Sequence, residues 1–176
     1  MAKLSSFLPH TLPAVNGGVA IVTGASSGIG RATVAALAEL KSRAATTSST
    51  TYAPTHIIGT SRNPDTITAP VDGVDYLPLD LADPASIDEF TSSALSYGPP
   101  TVLVNNAGES QSGPFEELPY DALHRLFEIN VLGQVGVTQK ILPEMRRNGA
   151  GRIVMVGSML GSCLLYTSDA ADERSS

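Results

Sequence analysis

Cysteine is nearly absent. Cys163 is the single one in 176 residues, which excludes an internal disulfide framework and a cysteine-based zinc site. A reducing compartment is therefore permitted, and a cytoplasmic location is the expectation. Basic residues are scarce as well: 11 Lys and Arg against 17 Asp and Glu leave a formal net charge of -6. Nucleic-acid and anionic-membrane surfaces need clustered cations, so neither partner is expected. No run approaches the roughly 20 apolar residues of a membrane span. Residues 1–17 carry one Lys, no Arg and a short apolar patch broken by prolines, which fits neither a secretory signal nor a transit peptide. They read as a loose leader.

What is present is a regular alternation. Apolar runs of strand length, VAIVTG (19–24), HIIGTS (56–61), VDYLPLD (74–80), TVLVNNAG (101–108) and RIVMVGS (152–158), are short, β-branched and bounded by turn residues. Helical patterns lie between them at 28–42, 84–97 and 119–148, the second starting on Asp83 as N-cap with Pro84 at the first helical position. Continuous apolar strands separated by helices predict a doubly wound parallel α/β sheet covered on both faces. SRAATTSSTTYAPT (42–55) is longer than the usual connection of about 2 to 6 residues and reads as a mobile surface insertion. Length and a 42% hydrophobic content suit one domain, placed at 18–162.

TGASSGIG follows the first strand and opens the first helix. Gly24, Gly28 and Gly30 can make a tight turn that a ligand approaches closely, and the helix end offers free N–H groups to a pyrophosphate. A P-loop would end in Gly-Lys-Ser/Thr, and this turn lacks that lysine. A phosphotransferase is thereby disfavoured. Together with NNAG (105–108), EINVLG (128–133) and GRIVMVGS (151–158), the turn resembles the short-chain dehydrogenase/reductase family from about residue 18 to 161. The resemblance implies a Rossmann-like fold, incomplete here at its C-terminal side, and a nicotinamide cofactor. It also implies hydride exchange with a small-molecule carbonyl or alcohol, and a parent that forms homo-oligomers.

Cofactor choice turns on the end of the second strand, where a carboxylate binds the ribose of NAD and an Arg accommodates the 2′-phosphate of NADP. Here the strand ends in Ser61 and Arg62, with no acid. NADP is the expected cofactor, with Ser26 as a second phosphate partner, unless Arg62 is only a solvated loop residue. The resemblance assigns Ser27 and Ile29 to the glycine turn and Leu81 to the adenine ring. It makes Asp80 the adenine-amine acceptor, although an Asp that caps a turn explains the same residue. It places Asn106, Ala107 and Gly108 against the ribose and nicotinamide half, and Asn105 across the central sheet as a structural residue that bonds backbone.

The resemblance gives Asn130 the task of holding a water in a proton relay, and Asn is mildly unfavourable inside a helix. Ser158, ending the fifth strand, would hydrogen-bond the substrate oxygen; a turn-forming Ser is the plainer alternative. No metal site is expected. The family's proton donor is a Tyr with a Lys four residues later, about a dozen residues beyond the Ser. Tyr166 stands only eight beyond Ser158 and is followed four later by Ala170. CLLYTSDAADE (163–173) instead resembles an in-frame translation of a transposon adapter, so 163–176 is read as a non-native tail and the chain as an inactive fragment. A non-catalytic dinucleotide-binding module, acting as sensor or scaffold, is the alternative.

Overall fold

In the computed structural model, residues 17–46, 53–111 and 114–158 are described. Five parallel strands, β1 (Val19–Val22), β2 (His56–Ser61), β3 (Asp75–Pro78), β4 (Pro100–Asn105) and β5 (Arg152–Met155), form one sheet in the order β3-β2-β1-β4-β5. The order reverses between β1 and β4, so the connections leave in opposite directions from the middle of the sheet. This is the doubly wound α/β fold expected, and such a switch point opens a crevice at the carboxyl ends of the strands.

Strand alternation divides the core. Val19 and Ile21 join Ile58, Leu103, Phe90, Val137 and Ile141 on the face covered by helices α2 (Pro84–Ser96) and α4 (Gln134–Arg147). Ala20 and Val22 join Ile57, Val102, Val104 and Val34 under helix α1 (Gly28–Thr46) on the other face. All four residues of β1 are fully buried, as a central strand covered on both faces must be. Asp83 caps α2 as expected, its Oδ1 accepting the Ala85 N–H at 2.9 Å, with Pro84 opening the helix.

Two expectations need correction. Helix α1 runs to Thr46 rather than 42, so the first residues of the proposed 42–55 insertion are helical: Ala44 and Ala45 are strong helix formers. Its other end is pinned, Thr55 N–H donating to Gly18 O at 2.8 Å and Gly17 N–H to Ala53 O at 2.9 Å. The expected helix 119–148 is helical throughout 120–147 but not uniformly α-helical. It comprises α3 (Tyr120–Phe127), a π-helical turn over Glu128–Gly133, and α4. Residues 1–16 of the 1–17 leader, residues 47–52 and 112–113, and the segment 159–176 with Cys163, Tyr166 and Ala170 lie outside the described residues.

Among the described residues, no helix is long and apolar enough to cross a membrane. There too, β5 pairs with β4 alone, leaving Val154 40% and Met155 57% exposed beside an open edge. Such an edge invites pairing with other chains. The chain should therefore associate as its concentration rises, and Val154→Lys should raise the monomer fraction in size-exclusion chromatography. A monodisperse, cooperatively melting wild-type sample at high concentration would contradict this.

Candidate cofactor cleft

The cleft is built by two turns that touch. After β1 the chain turns at Gly24, whose φ of +66° favours glycine. An added Cβ there would lie 2.8 Å from Ala107 Cα, in the turn after β4. Thr23 fastens the contact: its Oγ1 accepts the N–H of Asn106 at 2.9 Å and of Ala107 at 3.0 Å. Asn106 answers in the opposite direction, its Nδ2 donating to Thr23 O at 2.9 Å and Gly24 O at 3.2 Å. Gly30, in the first turn of α1, packs so closely that a Cβ would collide with the Gly24 carbonyl and with Asn106 Nδ2. These contacts aim the start of α1 along the gap between the turns.

That gap is a cavity of about 570 Å³. Every nucleotide-site residue expected from the sequence lines it except Gly30, which lies behind and shapes the turn. Gly24, Ser26, Ser27, Gly28 and Ile29 come from the glycine turn, Ser61 and Arg62 from the end of β2, Asp80 and Leu81 from beyond β3, and Asn106, Ala107 and Gly108 from the turn after β4. Thr60, Leu79, Glu109 and Ile129 also line it and were not anticipated. Thr23 was missed as well, though it opens the very motif that was read. Asp80 does cap a turn, Oδ1 accepting the Ala82 N–H at 2.9 Å, while still lining the cavity.

Asn105 departs from expectation. It is fully buried and structural, but its Nδ2 donates to Thr138 Oγ1 at 2.9 Å and contacts Met155 Sδ at 3.1 Å, rather than bonding backbone. Only the Nδ2 half of the amide is engaged: the buried Oδ1 has no hydrogen-bond partner among the described residues.

Asn130 sits in the π-helical turn. Its Oδ1 accepts the Glu109 N–H at 2.9 Å and its Nδ2 donates to Glu109 O at 2.8 Å, clamping the segment after β4. Gly133, ending the turn, lies so tightly against Leu81 that no Cβ fits, and Ile129 is buried against the core. Asn130 and Ser158 do not line the cavity. Ser158 is exposed in the segment after β5, on the same edge of the sheet. No group of three metal-ligating side chains occurs among the described residues.

Charge gathers at Glu109. Arg125 in α3 grips its carboxylate twice, Nε to Oε2 and Nη2 to Oε1, both at 3.1 Å, and Arg62 Nη1 reaches Oε1 at 3.0 Å. Hydrogen bonding from Arg125 holds the Glu109 carboxyl below its ordinary pKa; partial burial opposes this, and the charges of Arg125 and Arg62 reinforce it.

The family model for short chain dehydrogenases matches residues 18–168. The chain belongs to the short-chain dehydrogenase family. It is 33% identical over 156 residues to the uncharacterized oxidoreductase YusZ of Bacillus subtilis, covering 84% of this chain and 51% of that one. It is 33% identical over 147 residues to human 17-beta-hydroxysteroid dehydrogenase type 1, covering 81% and 43%. Among solved structures, a short-chain dehydrogenase from Streptomyces avermitilis superposes with a TM-score of 0.66 at 38% identity, covering 84% of this chain and 51% of that one. A metagenomic short-chain oxidoreductase in complex with NADP gives 0.67 at 27% identity, covering 86% and 67%. The chain thus spans about half the length of the curated relatives it matches. The family is one of oxidoreductases that bind a nicotinamide cofactor.

Two outcomes follow from this geometry. Gly30→Ala should lower the unfolding free energy by about 1–3 kcal/mol, because the new methyl must displace backbone; an unchanged denaturant midpoint would contradict the tight turn. For Glu109, a folded-state pKa below the unfolded one means the ionised form stabilises the fold. Its contribution is present at neutral pH and lost as pH falls through the lowered value. The melting-temperature gap between wild type and Glu109→Gln should therefore narrow as the pH is lowered below the ordinary carboxylate range; a constant gap would contradict the pairing.

Proposed function

We propose that this chain is the cofactor-holding part of an NADP-dependent oxidoreductase that moves hydride between nicotinamide and the carbon of a carbonyl or secondary alcohol. The observation that carries the NADP preference is Arg62: the end of β2 brings Ser61 and Arg62 to the cavity, and the sequence has no acid at the end of that strand. A forked, permanently charged donor suits a phosphate; a carboxylate would repel it. The NADP-bound neighbour is consistent with this choice.

The cavity suits such a group. Gly28 lines it with a φ of +52°, and a Cβ added there would meet no protein atom within 4 Å. The glycine leaves open the space at the helix end, where Ser26, Ser27 and the first amides of α1 can receive a pyrophosphate. Asp80 keeps one carboxylate oxygen for an adenine amine while the other caps its turn. A bound nicotinamide would supply or accept the hydride. Ser158 would hydrogen-bond the substrate oxygen as its charge develops. Asn130 would hold a water in the proton path, while its side chain fixes the peptide of Glu109.

No Tyr-x-x-x-Lys occurs in this sequence, which supports reading the chain, with its tail from 163, as inactive alone. The exposed apolar residues Phe127, Val131, Leu132 and Val135 support a parent that assembles from several copies. Fluorescence titration tests the cofactor assignment. NADPH should bind at least about tenfold more tightly than NADH, and Arg62→Gln should remove most of that difference, since one charge-assisted contact to phosphate is worth about 1.5–3 kcal/mol. Equal affinities in the wild-type chain would overturn it.

A further inference from the structure

Arg62, the candidate phosphate partner, is already engaged. It pairs with Glu109 at 3.0 Å, and both residues line the cavity, one from the segment after β2 and the other from the segment after β4. A carboxylate in that position has two opposing effects. It holds a long, 66% exposed side chain at the cavity, and it competes with any phosphate for the same guanidinium. Which effect prevails depends on what else neutralises Glu109.

Arg125 supplies that neutralisation. It reaches Glu109 from α3 with two hydrogen bonds, at 3.1 Å each, against the single one from Arg62. The Asn130 side chain clamps both polar groups of the Glu109 peptide, so the carboxylate is anchored independently of Arg62. We propose that Glu109 and Arg125 together set the nucleotide preference: Glu109 competes with a 2′-phosphate for Arg62, and Arg125 weakens that competition by keeping Glu109 paired when Arg62 turns to the phosphate. Glu109 is the specificity-determining residue, and Arg125 is a positioning residue that acts through it. A phosphate monoester at neutral pH carries between one and two negative charges and three acceptor oxygens. It outcompetes one shared carboxylate for a guanidinium, provided the carboxylate is not left bare beside it. Without Arg125, Glu109 would retain Arg62 and repel the incoming phosphate.

This inference rests on the assignment of Arg62 proposed above, and the test separates the two. The full chain, at micromolar concentration, is titrated with NADP+ and NAD+, and the ratio of their dissociation constants is read in each variant. NAD+ affinity reports in every case that the cleft is folded. Arg125→Gln should cut the preference for NADP+ about two- to fivefold, the scale of an exposed pair. Arg125→Lys, which retains the charge, should lose less. Glu109→Gln should raise the preference above wild type, and the double variant Glu109→Gln with Arg125→Gln should restore it to at least the wild-type value. A merely structural role would not produce that rescue. If Arg62→Gln abolishes the preference while the Arg125 and Glu109 variants leave it unchanged, the charge-sharing inference fails alone. If Arg62→Gln also leaves the ratio unchanged, the assignment of Arg62 falls with it.

Discussion

The structure depends on the contact between two backbone turns that leave adjacent central strands. β1 and β4 are hydrogen-bonded neighbours, and at their carboxyl ends the chain must turn away in opposite directions. Side chains would normally keep such turns apart. Here Gly24 removes the Cβ that would strike Ala107, Gly30 removes the one that would strike Gly24, and Thr23 Oγ1 binds the two amides that the end of β4 leaves unpaired. Buried backbone groups need partners, and one hydroxyl supplies them in the space where a wider gap would have required water.

The rest of the cleft is arranged around this contact. Because the turns meet, the start of α1 is held against the sheet edge and its first amides face the cavity. The π-helical turn closes the far side. An ordinary α-helix would distribute its side chains evenly, whereas the wider turn brings Ile129 into the core, Asn130 onto the peptide of Glu109 and Gly133 against Leu81. Wide turns of this kind are frequent at functional sites. The clamp on Glu109 is also where the neutral part of the cleft gives way to charge, with Arg62 and Arg125 converging on one carboxylate.

Much of this was legible in the sequence because it is local. Strand length, β-branching and the Asp83-Pro84 start are properties of neighbouring residues, and all five strands and the α2 cap appear where those patterns put them. β1, β3, β4 and β5 end two or three residues before the apolar runs do, because most of those last residues turn toward the cleft. What could not be read depends on residues far apart in the chain. Thr23 meets Asn106 across 83 positions, and Arg62 meets Glu109 across 47. Nothing in either segment alone announces the other. Asn105 shows the same limit: a structural role was expected of it, but Thr138 as its partner required the position of α4 over the sheet. EINVLG was singled out, and Asn130 was noted as unfavourable in a helix, yet the change in helical pitch there follows from packing against Leu81 and Glu109.

The central claim is that the two touching turns cradle a nicotinamide dinucleotide. Amide hydrogen exchange on the folded chain, with and without NADPH, tests it most directly. Slowed exchange is expected for the amides of residues 27–31 and 106–109, with no change in α2 on the far side of the sheet. Protection confined to other elements, or none at saturating nucleotide, would contradict it.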